Sequence, residues 1–364
     1  MPVACGQSFM DIQEYMDDFT ARDWPQADEG TVRFAMVGLG WWTMEFAIPA
    51  TEVLDHLETT VVVSSTTEKA EGVADEHESI EHGLTYDEFQ NGEATDAYDA
   101  VYIATPNALH LPYVEAAAEF DKDVLCEKPL EASTERAEKL VEAAEGVTLG
   151  VEYRMHVQPA VRTMRELVDA GFIGDVAMVH GNMSQPLLDI NDNYDQWRLD
   201  PDMAGPGASV TDLGVYSINT TRFVIDEDPV AVTATDWSGH EAFDDVPDER
   251  AAFTVEFPDG VVAACTASQN TQETSNLRII GTEGELLLED AFLSGDRELT
   301  ITRGETTITT EFDGIEETRR SLEYFGDHLL TGTDIHGDGE HGIVDQRAID
   351  AVYEAAESGE RVEL

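Results

Sequence analysis

The chain has 364 residues and carries 76 acidic side chains against 20 basic ones, which gives a net charge of −56. Hydrophobic residues make up 42% of the sequence, enough to bury a core, so the composition excludes an intrinsically disordered protein. A surface of this charge repels nucleic acids and anionic membranes, and no apolar run reaches the length of a membrane span.

The acidic residues are distributed along the whole chain and do not form a tail. At molar salt the Debye length falls to about 3 Å, so repulsion among exposed carboxylates is largely screened. The charge therefore favours a protein of a salt-filled cytoplasm, as in haloarchaea, over an acidic protein of ordinary origin. Cys5, Cys126 and Cys265 lie too far apart for a zinc motif or a disulfide framework, and the first residues have no secretory-signal pattern. We expect a cytoplasmic protein without a metal site.

Residues 1–30 precede the first predicted strand and contain apolar side chains at helical spacing, which predicts an amphipathic helix that packs as an arm. These side chains are Phe9, Ile12, Met16 and Phe19. From residue 31 to residue 152 strands alternate with helices, which predicts a doubly wound parallel sheet. The predicted strands cover 31–37, 59–64, 81–86, 100–104, 123–126 and 148–151; helices begin near 43 and cover 69–77, 110–120 and 134–144.

The pattern changes after residue 153, where a helix is followed mainly by strands joined by short turns, such as Pro258-Asp259-Gly260. Strands are predicted at 176–184, 230–237, 251–257, 261–267, 277–280, 285–288, 299–302 and 306–312, with helices at 159–170, 318–330 and 344–358. The predicted fold class is α/β. After the arm, a Rossmann dinucleotide-binding domain covers 31–152, and an α+β domain on a largely antiparallel open sheet covers 153–364.

The loop after the first strand reads Gly-Leu-Gly-Trp-Trp-Thr at residues 38–43. Two glycines permit a tight turn and the close approach of a pyrophosphate to the start of a helix. Thr43 stands where the usual fingerprint has a third glycine, so the motif alone is weak. The prediction of a dinucleotide site therefore rests on the location of the loop between a strand and a helix, and a purely structural turn is the alternative. The residues predicted to contact a dinucleotide here are Gly38, Leu39, Gly40, Trp41 and Trp42.

The end of the second predicted strand distinguishes NADP from NAD. An NAD-specific Rossmann unit places an acidic residue there for the ribose hydroxyls, but this strand ends in Ser64 and Ser65, followed by Lys69. Lys69 is one of four lysines in the chain, and it suits a 2′-phosphate, as do the serine hydroxyls. Glu68 is expected to face away. A solvated helix lysine is the alternative, and we predict NADP.

Two more loops follow predicted strands at the same edge of the sheet. Thr105, Asn107 and His110 offer hydrogen bonds after the strand at 100–104, although His110 alone suits a helix cap equally well. A Glu-Lys-Pro sequence occupies 127–129, and its Lys128 lies at the mouth of the sheet. A lysine in this position can bind a substrate oxygen and depress the pKa of a neighbouring group.

These motifs occur in order and at the spacing of one known family. With its glycine loop, the Ala-Thr-Pro-Asn sequence at 104–107 and the Glu-Lys-Pro sequence at 127–129, the chain resembles the glucose–fructose oxidoreductase, inositol dehydrogenase and MocA family. The resemblance covers nearly everything after residue 31 and includes 151–154, 196–201 and 281–284. It implies that Lys128 is catalytic, that Glu127 and Lys128 lie at the cofactor, and that Ser64 to Lys69 hold the NADP phosphate.

The family has a second catalytic segment with Asp, Gly and His on one helix. Here Asp212, Gly214 and Tyr216 match it, with tyrosine in place of histidine, as in the glucose–fructose oxidoreductase branch and the dihydrodiol dehydrogenases. Asp212 and Tyr216 are four residues apart, so a helix places them on one face. A buried tyrosine near Lys128 can have its pKa lowered enough to act as a base; a core tyrosine with a bonded hydroxyl is the alternative.

Within the family, the acidic composition and the NADP features are most similar to haloarchaeal enzymes that oxidise D-xylose at C1. The resemblance implies NADP-dependent oxidation of an aldopyranose to its lactone, with Tyr216 taking the hydroxyl proton and Lys128 binding that oxygen. Two kinds of alternative remain: another sugar or diol, such as glucose, arabinose, anhydrofructose or a trans-dihydrodiol, and a non-catalytic NADP-binding sensor. Residues expected to orient the sugar or the cofactor are Arg154, Trp197, Arg198 and Asp212.

The second predicted sheet also suggests self-association. Its strands alternate, as at 261–265, and helices are expected on only one face, so apolar groups remain on the other. A second copy of the chain would bury them, and we expect a homodimer or a homotetramer.

Overall fold

The structure, a computed structural model, describes residues 24–364 and, before them, Ile12, Tyr15, Met16, Phe19 and Arg22. Ile12, Tyr15 and Met16 are helical, as predicted, whereas Phe19 is not, and Phe9 lies outside the described residues. Ile12 is buried in the core of the second half of the chain, and Met16 packs against the same core. Among the described residues, no helix is long and apolar enough to cross a bilayer.

The first sheet contains six parallel strands: β1 (Val32–Val37), β2 (Leu57–Ser64), β3 (His82–Thr85), β4 (Ala100–Ile103), β5 (Asp123–Glu127) and β6 (Leu149–Glu152). Their order is β3-β2-β1-β4-β5-β6, which confirms the predicted doubly wound sheet. The central strands are nearly continuous apolar runs because helices cover both faces of such a sheet. The strand order reverses between β1 and β4, which opens a crevice at their carboxyl ends.

Two helices of this half begin at residues whose side chains cap them. Thr66 caps the helix after β2, and Thr85 forms a capping box with Glu88 at a short helix that the prediction had missed. A wide helical turn, Thr43–Ala47, follows the glycine loop. The helices are Ile48–Val53, Thr67–Glu76, Tyr86–Gln90, His110–Glu119 and Thr134–Ala143.

The second sheet contains nine strands: β7 (Val176–Pro186), β8 (Ala231–Trp237), β9 (Arg250–Glu256), β10 (Val262–Ser268), β11 (Asn270–Gly281), β12 (Gly284–Glu289), β13 (Arg297–Arg303), β14 (Thr306–Phe312) and β15 (Val362–Glu363). Their order is β14-β13-β12-β11-β7-β10-β9-β8-β15. Only the pair of β7 and β10 is parallel among these described strands, so the prediction of a largely antiparallel sheet is confirmed. At the predicted turn between β9 and β10, Asp259 and Gly260 both adopt positive φ angles.

Helices pack on one face of the second sheet. Along β10, Ala263, Cys265 and Ala267 point into this core, whereas Val262 and Ala264 are exposed on the opposite face. A wide turn, Val210–Gly214, leads directly into one of the packed helices. The helices are Pro159–Asp169, Val215–Ile225, Glu317–Thr331 and Gly339–Ser358, with short ones at Leu187–Ile190 and Pro201–Ala204.

The last part of the chain returns to the first sheet. Leu322 and Phe325, on the helix Glu317–Thr331, pack in the same core cluster as Phe34 of β1. The backbone N–H of Val151 on β6 donates to the carbonyl of Gly337 at 2.9 Å. The strands of the first sheet thus all precede residue 153 and those of the second all follow it, while a late helix contributes to the core of the first sheet.

Candidate active site

The glycine loop lies at the carboxyl end of β1 against the end of β4. Gly38 has a φ of +98°, and a Cβ there would meet the carbonyl oxygen of Ala104 at 2.5 Å, so only glycine fits. A Cβ on Gly40, in contrast, would meet nothing within 4 Å, which leaves room for a ligand. The Thr43 hydroxyl donates to the Gly38 carbonyl at 2.6 Å. Thr43, which replaces the third glycine of the usual fingerprint, thus closes the turn with its side chain.

Lys69 is close to this loop although it belongs to the next helix. Its Nζ donates to the carbonyl of Leu39 at 2.6 Å, which places the ammonium group of this exposed residue beside the glycines. Ser64 is buried at the end of β2, and Ser65 next to it is exposed. Trp41 is exposed, and its ring packs edge-on against Phe46. The predicted cofactor residues on β1 and β2 are therefore gathered around one loop.

Of the three polar residues predicted after β4, one has an unpartnered side chain and two have side chains that contact backbone carbonyls. Thr105 Oγ1 is buried without a hydrogen-bond partner among the described residues, as expected of a group that serves a ligand. The Asn107 amide donates to the carbonyl of Ala204 at 2.8 Å. Both ring nitrogens of His110 lie 3.0 Å from backbone carbonyls, those of Leu130 and Thr105, and its side chain is fully buried. His110 can therefore influence the site by joining the loops after β4 and β5.

Lys128 and Asp212 form the centre of the site. Lys128 Nζ donates to Asp212 Oδ1 at 2.9 Å and to the Asp212 carbonyl at 2.8 Å, with the two side chains 13% and 15% exposed. Arg198 Nε and Gln269 Nε2 each donate to Asp212 Oδ2 at 2.9 Å. Burial alone would raise the pKa of Asp212, but Lys128 and Arg198 hold it well below its usual value. Conversely, burial would lower the pKa of Lys128, and Asp212 raises it.

Tyr216 lies between two cations. Lys128 Nζ is 4.7 Å from the centre of the Tyr216 ring, and the Arg154 guanidinium carbon is 4.9 Å from it. Arg154 Nε donates to the Tyr216 hydroxyl at 3.0 Å. Asp212 belongs to the wide turn Val210–Gly214 and Tyr216 to the helix that continues it, so the structure brings together the predicted group of Lys128, Asp212 and Tyr216.

Glu127, which precedes Lys128, is partly buried at the end of β5. Its carboxylate accepts a hydrogen bond from the Tyr102 hydroxyl at 2.5 Å. Burial raises the pKa of Glu127 above the usual carboxyl value, although Tyr102 and Lys128 oppose this shift. Trp197 reaches the site through its neighbour, because the guanidinium of Arg198 lies 4.5 Å from the Trp197 ring centre and binds Asp212.

Sequence reasoning missed several side chains that shape this site. Gln269 follows β10 and binds Asp212, and Glu317 begins a late helix and accepts from Arg154 Nη1 at 2.5 Å. The carbonyl of Phe292 accepts from Arg154 Nη2. No local pattern distinguishes Glu317 in a chain with 76 acidic residues, and the role of a carbonyl is invisible in sequence.

Comparison with known proteins agrees with the geometry. Residues 32–153 match the oxidoreductase family with an NAD-binding Rossmann fold, and residues 161–287 match the GFO/IDH/MocA C-terminal domain. A D-xylose 1-dehydrogenase [NADP(+)] of Haloarcula marismortui is 50% identical over 98% of this chain and 100% of its own length. D-xylose 1-dehydrogenase (NADP(+)) 2 of Haloferax volcanii is 34% identical over 91% of this chain and 99% of its own.

The fold also has a close structural relative. The crystal structure of an aldose-aldose oxidoreductase from Caulobacter crescentus, complexed with glycerol, superposes with a TM-score of 0.85 at 27% identity. The superposition covers 92% of this chain and 100% of that one. Both domains and their connection are therefore common to the two proteins.

Proposed function

The chain belongs to the GFO/IDH/MocA oxidoreductase family, and on this premise we propose that it oxidises D-xylose at C1 to xylonolactone with NADP⁺ as the acceptor. The 50% identity to the Haloarcula relative over nearly the full length of both chains supports the substrate. The observation that carries the chemistry is the position of Lys128 Nζ, 2.9 Å from the Asp212 carboxylate and 4.7 Å from the Tyr216 ring centre.

NADP fits the carboxyl edge of the first sheet. Gly40 leaves open space beside a helix start, Thr105 offers an unpartnered hydroxyl, and Lys69 brings a cation to the glycine loop. We assign the pyrophosphate to residues 38–40, and the 2′-phosphate to Lys69 with Ser64 and Ser65. When bound, NADP⁺ supplies the acceptor for the hydrogen that leaves C1 of the sugar with its electron pair.

The chain's own residues manage the proton of the reaction. Lys128 donates a hydrogen bond to the C1 oxygen, and Asp212 holds the ammonium group in place for this contact. Tyr216 accepts the hydroxyl proton as the C1–O bond becomes a carbonyl, and the proton then passes to solvent. The products balance as lactone, NADPH and one proton. Lys128 Nζ lies 4.7 Å and the Arg154 guanidinium carbon 4.9 Å from the Tyr216 ring centre, so positive charge surrounds the residue that takes the proton.

The acidic surface supports a halophilic, cytoplasmic enzyme. A net charge of −56 is tolerable for a folded chain only where salt screens it, and the two D-xylose dehydrogenase relatives come from haloarchaea. The assay conditions for this protein should therefore contain molar KCl.

The open face of the second sheet supports self-association into a homodimer or homotetramer. A shallow depression of about 560 Å³ on this face includes Thr235, Ala252 and Ala264, and none of its described lining residues is acidic. Nearby, Met178 is 47% exposed. A charge-free, partly apolar patch in so acidic a chain fits burial against a second copy. Light scattering in high salt should find more than 40 kDa; a species of 40.0 kDa alone would contradict the assembly.

A panel of aldoses tests the proposed function. NADPH formation should be fastest with D-xylose at molar KCl, and xylonolactone should be the product. L-Arabinose, D-glucose and a trans-dihydrodiol serve as competitors. A faster rate with another sugar would transfer the assignment to that sugar, and tight NADPH binding without turnover on any polyol would indicate a sensor.

A further inference from the structure

We propose that Arg154 is a second cation at the reacting oxygen of Tyr216, and that a buried chain of Arg154, Glu317 and Arg297 fixes it there. This inference rests on the proposed role of Tyr216 as the base. It assigns Arg154 to the tyrosine, in place of the sugar or cofactor contact that the sequence suggested. Glu317 and Arg297 are positioning residues in this arrangement because neither touches the Tyr216 hydroxyl.

The contacts of Arg154 leave its guanidinium little freedom. Nε donates to the Tyr216 hydroxyl at 3.0 Å, Nη1 donates to Glu317 at 2.5 Å, and Nη2 donates to the carbonyl of Phe292. Each of the three nitrogens therefore has a partner inside the protein, and the side chain is nearly buried. An arginine held in this way is directed at the tyrosine oxygen and at no open surface.

Glu317 connects the two arginines. It is only 4% exposed, and its second oxygen forms an ion pair with Arg297 Nη2 at 2.5 Å. Glu317 is the first residue of the fifteen-residue helix Glu317–Thr331, where the helix dipole favours a negative charge. One carboxylate thus binds two cations, as a buried charge requires.

Arg297 connects Glu317 to the loop between β12 and β13, which packs on Tyr216. Its side chain is fully buried and donates to the carbonyls of Ala291 at 3.1 Å and Gly295 at 3.0 Å. The same loop carries Phe292, whose ring centre lies 5.7 Å from that of Tyr216 and whose carbonyl accepts from Arg154. Arg297 therefore holds the loop that both orients Arg154 and packs on the tyrosine.

The charges around the Tyr216 hydroxyl then have opposing effects. Lys128, from the loop after β5, and Arg154, from the segment after β6, bring positive charge to the tyrosine. Asp212, on the preceding turn, and Glu317, at the start of the late helix, oppose this charge, while Arg198 offsets Asp212 and Arg297 offsets Glu317. Removing Arg154 should make ionisation harder, and removing the charge of Glu317 should make it easier.

Two substitutions with opposite expected effects test the proposal. Arg154→Gln should move the acidic limb of the pH profile of kcat/KM to higher pH by about one to three units, the usual effect of a charge at this distance. Glu317→Gln keeps an acceptor for Arg154 Nη1 and removes only the opposing charge, so it should move the limb to lower pH, whereas Glu317→Ala, which releases Arg154, should move it to higher pH. Arg154→Lys retains the charge and should restore most of the wild-type midpoint. Asp345→Asn, which removes the charge of a buried acid paired with Arg222, is the matched control and should leave the midpoint unchanged.

A second readout separates this inference from the proposed function. The tyrosinate absorbance of Tyr216 is the part of the signal that disappears in Tyr216→Phe. In each variant its midpoint should shift in the same direction as the kinetic midpoint of that variant, whether or not an aldose is oxidised. Opposite shifts in both readouts support the proposal. An unmoved absorbance midpoint in Arg154→Gln, or shifts in the same direction in Arg154→Gln and Glu317→Gln, would overturn it. A wild-type enzyme that oxidises no aldose would overturn only the proposed function.

Discussion

Charged side chains occupy two very different settings in this molecule, the acidic surface and the buried cluster around Tyr216. Over the whole chain 76 acidic residues face 20 basic ones, so most carboxylates have no cation to pair with. In the cluster, by contrast, Lys128 Nζ lies 2.9 Å from Asp212 Oδ1, and Arg154 Nη1 lies 2.5 Å from Glu317 Oε2. Salt screens exposed charges and affects buried pairs much less. Salt should therefore govern stability, whereas pairing geometry should govern the chemistry.

The largest expected effect lies in the cluster. Lys128→Ala should lower kcat by about 100-fold to 10,000-fold, because it removes the cation at the sugar oxygen and beside Tyr216. Lys139→Ala is the matched control, since Lys139 is exposed and pairs with the exposed Glu135. Steady-state kinetics in molar KCl measure kcat for both variants. Comparable losses of kcat in the two would contradict a catalytic role for Lys128.

Asp212 should matter for stability as well as for rate. Asp212→Asn leaves Lys128 as a nearly buried cation without its carboxylate, so the free energy of unfolding should fall by about 3 kcal/mol or more. Because the folded pKa of Asp212 lies below its unfolded value, the carboxylate contributes fully above about pH 4 and progressively less at lower pH. Denaturant unfolding at high salt, from neutral to acidic pH, measures this. A variant as stable as wild type at neutral pH would contradict the pairing argument.

Salt should separate the two settings. In dilute buffer the unscreened surface should lower the melting temperature and abolish activity, and molar KCl should restore both. Differential scanning fluorimetry across a KCl series, with activity measured in parallel, checks this. The substitution Lys128→Ala should change the rate without changing the slope of melting temperature against salt. A melting temperature that does not depend on salt would show that the surface charge is of no consequence.

A smaller effect is expected at Lys69. Lys69→Ala should reduce the preference of kcat/KM for NADP⁺ over NAD⁺ by about 10-fold, because a charge-assisted phosphate contact is lost. Lys122→Ala, at the opposite edge of the first sheet, controls for the loss of a lysine. A wild-type enzyme that prefers NAD⁺ would contradict the assignment of Ser64, Ser65 and Lys69.

The parts predicted from sequence were those with local signals. The glycine loop, the sequence at 127–129 and the Asp212–Tyr216 spacing lie within short stretches whose chemistry is readable. The structure brings Lys128 into contact with Asp212, and the glycine loop lies at the same edge of the first sheet as Lys128. His110 was expected to offer a hydrogen bond after β4 or to cap the next helix; in the structure its ring is buried against two backbone carbonyls.

Other features depend on contacts that no short stretch reveals. The parallel pair of β7 and β10 and the return of the helix Glu317–Thr331 to the first core follow from the chain path. Glu317 is 163 residues from its partner Arg154, and one glutamate among so many acids carries no distinguishing pattern. Long-range partners of the site were therefore beyond reach of the sequence alone.

The most direct test of the central claim is the turnover of Tyr216→Phe with D-xylose in molar KCl. The substitution removes one hydroxyl and leaves the ring between Phe292, Lys128 and Arg154. We predict a loss of about 100-fold to 10,000-fold in kcat with unchanged NADP⁺ affinity and an unchanged melting curve against salt. Near-normal turnover would contradict the account, because Tyr216 would then not be the base.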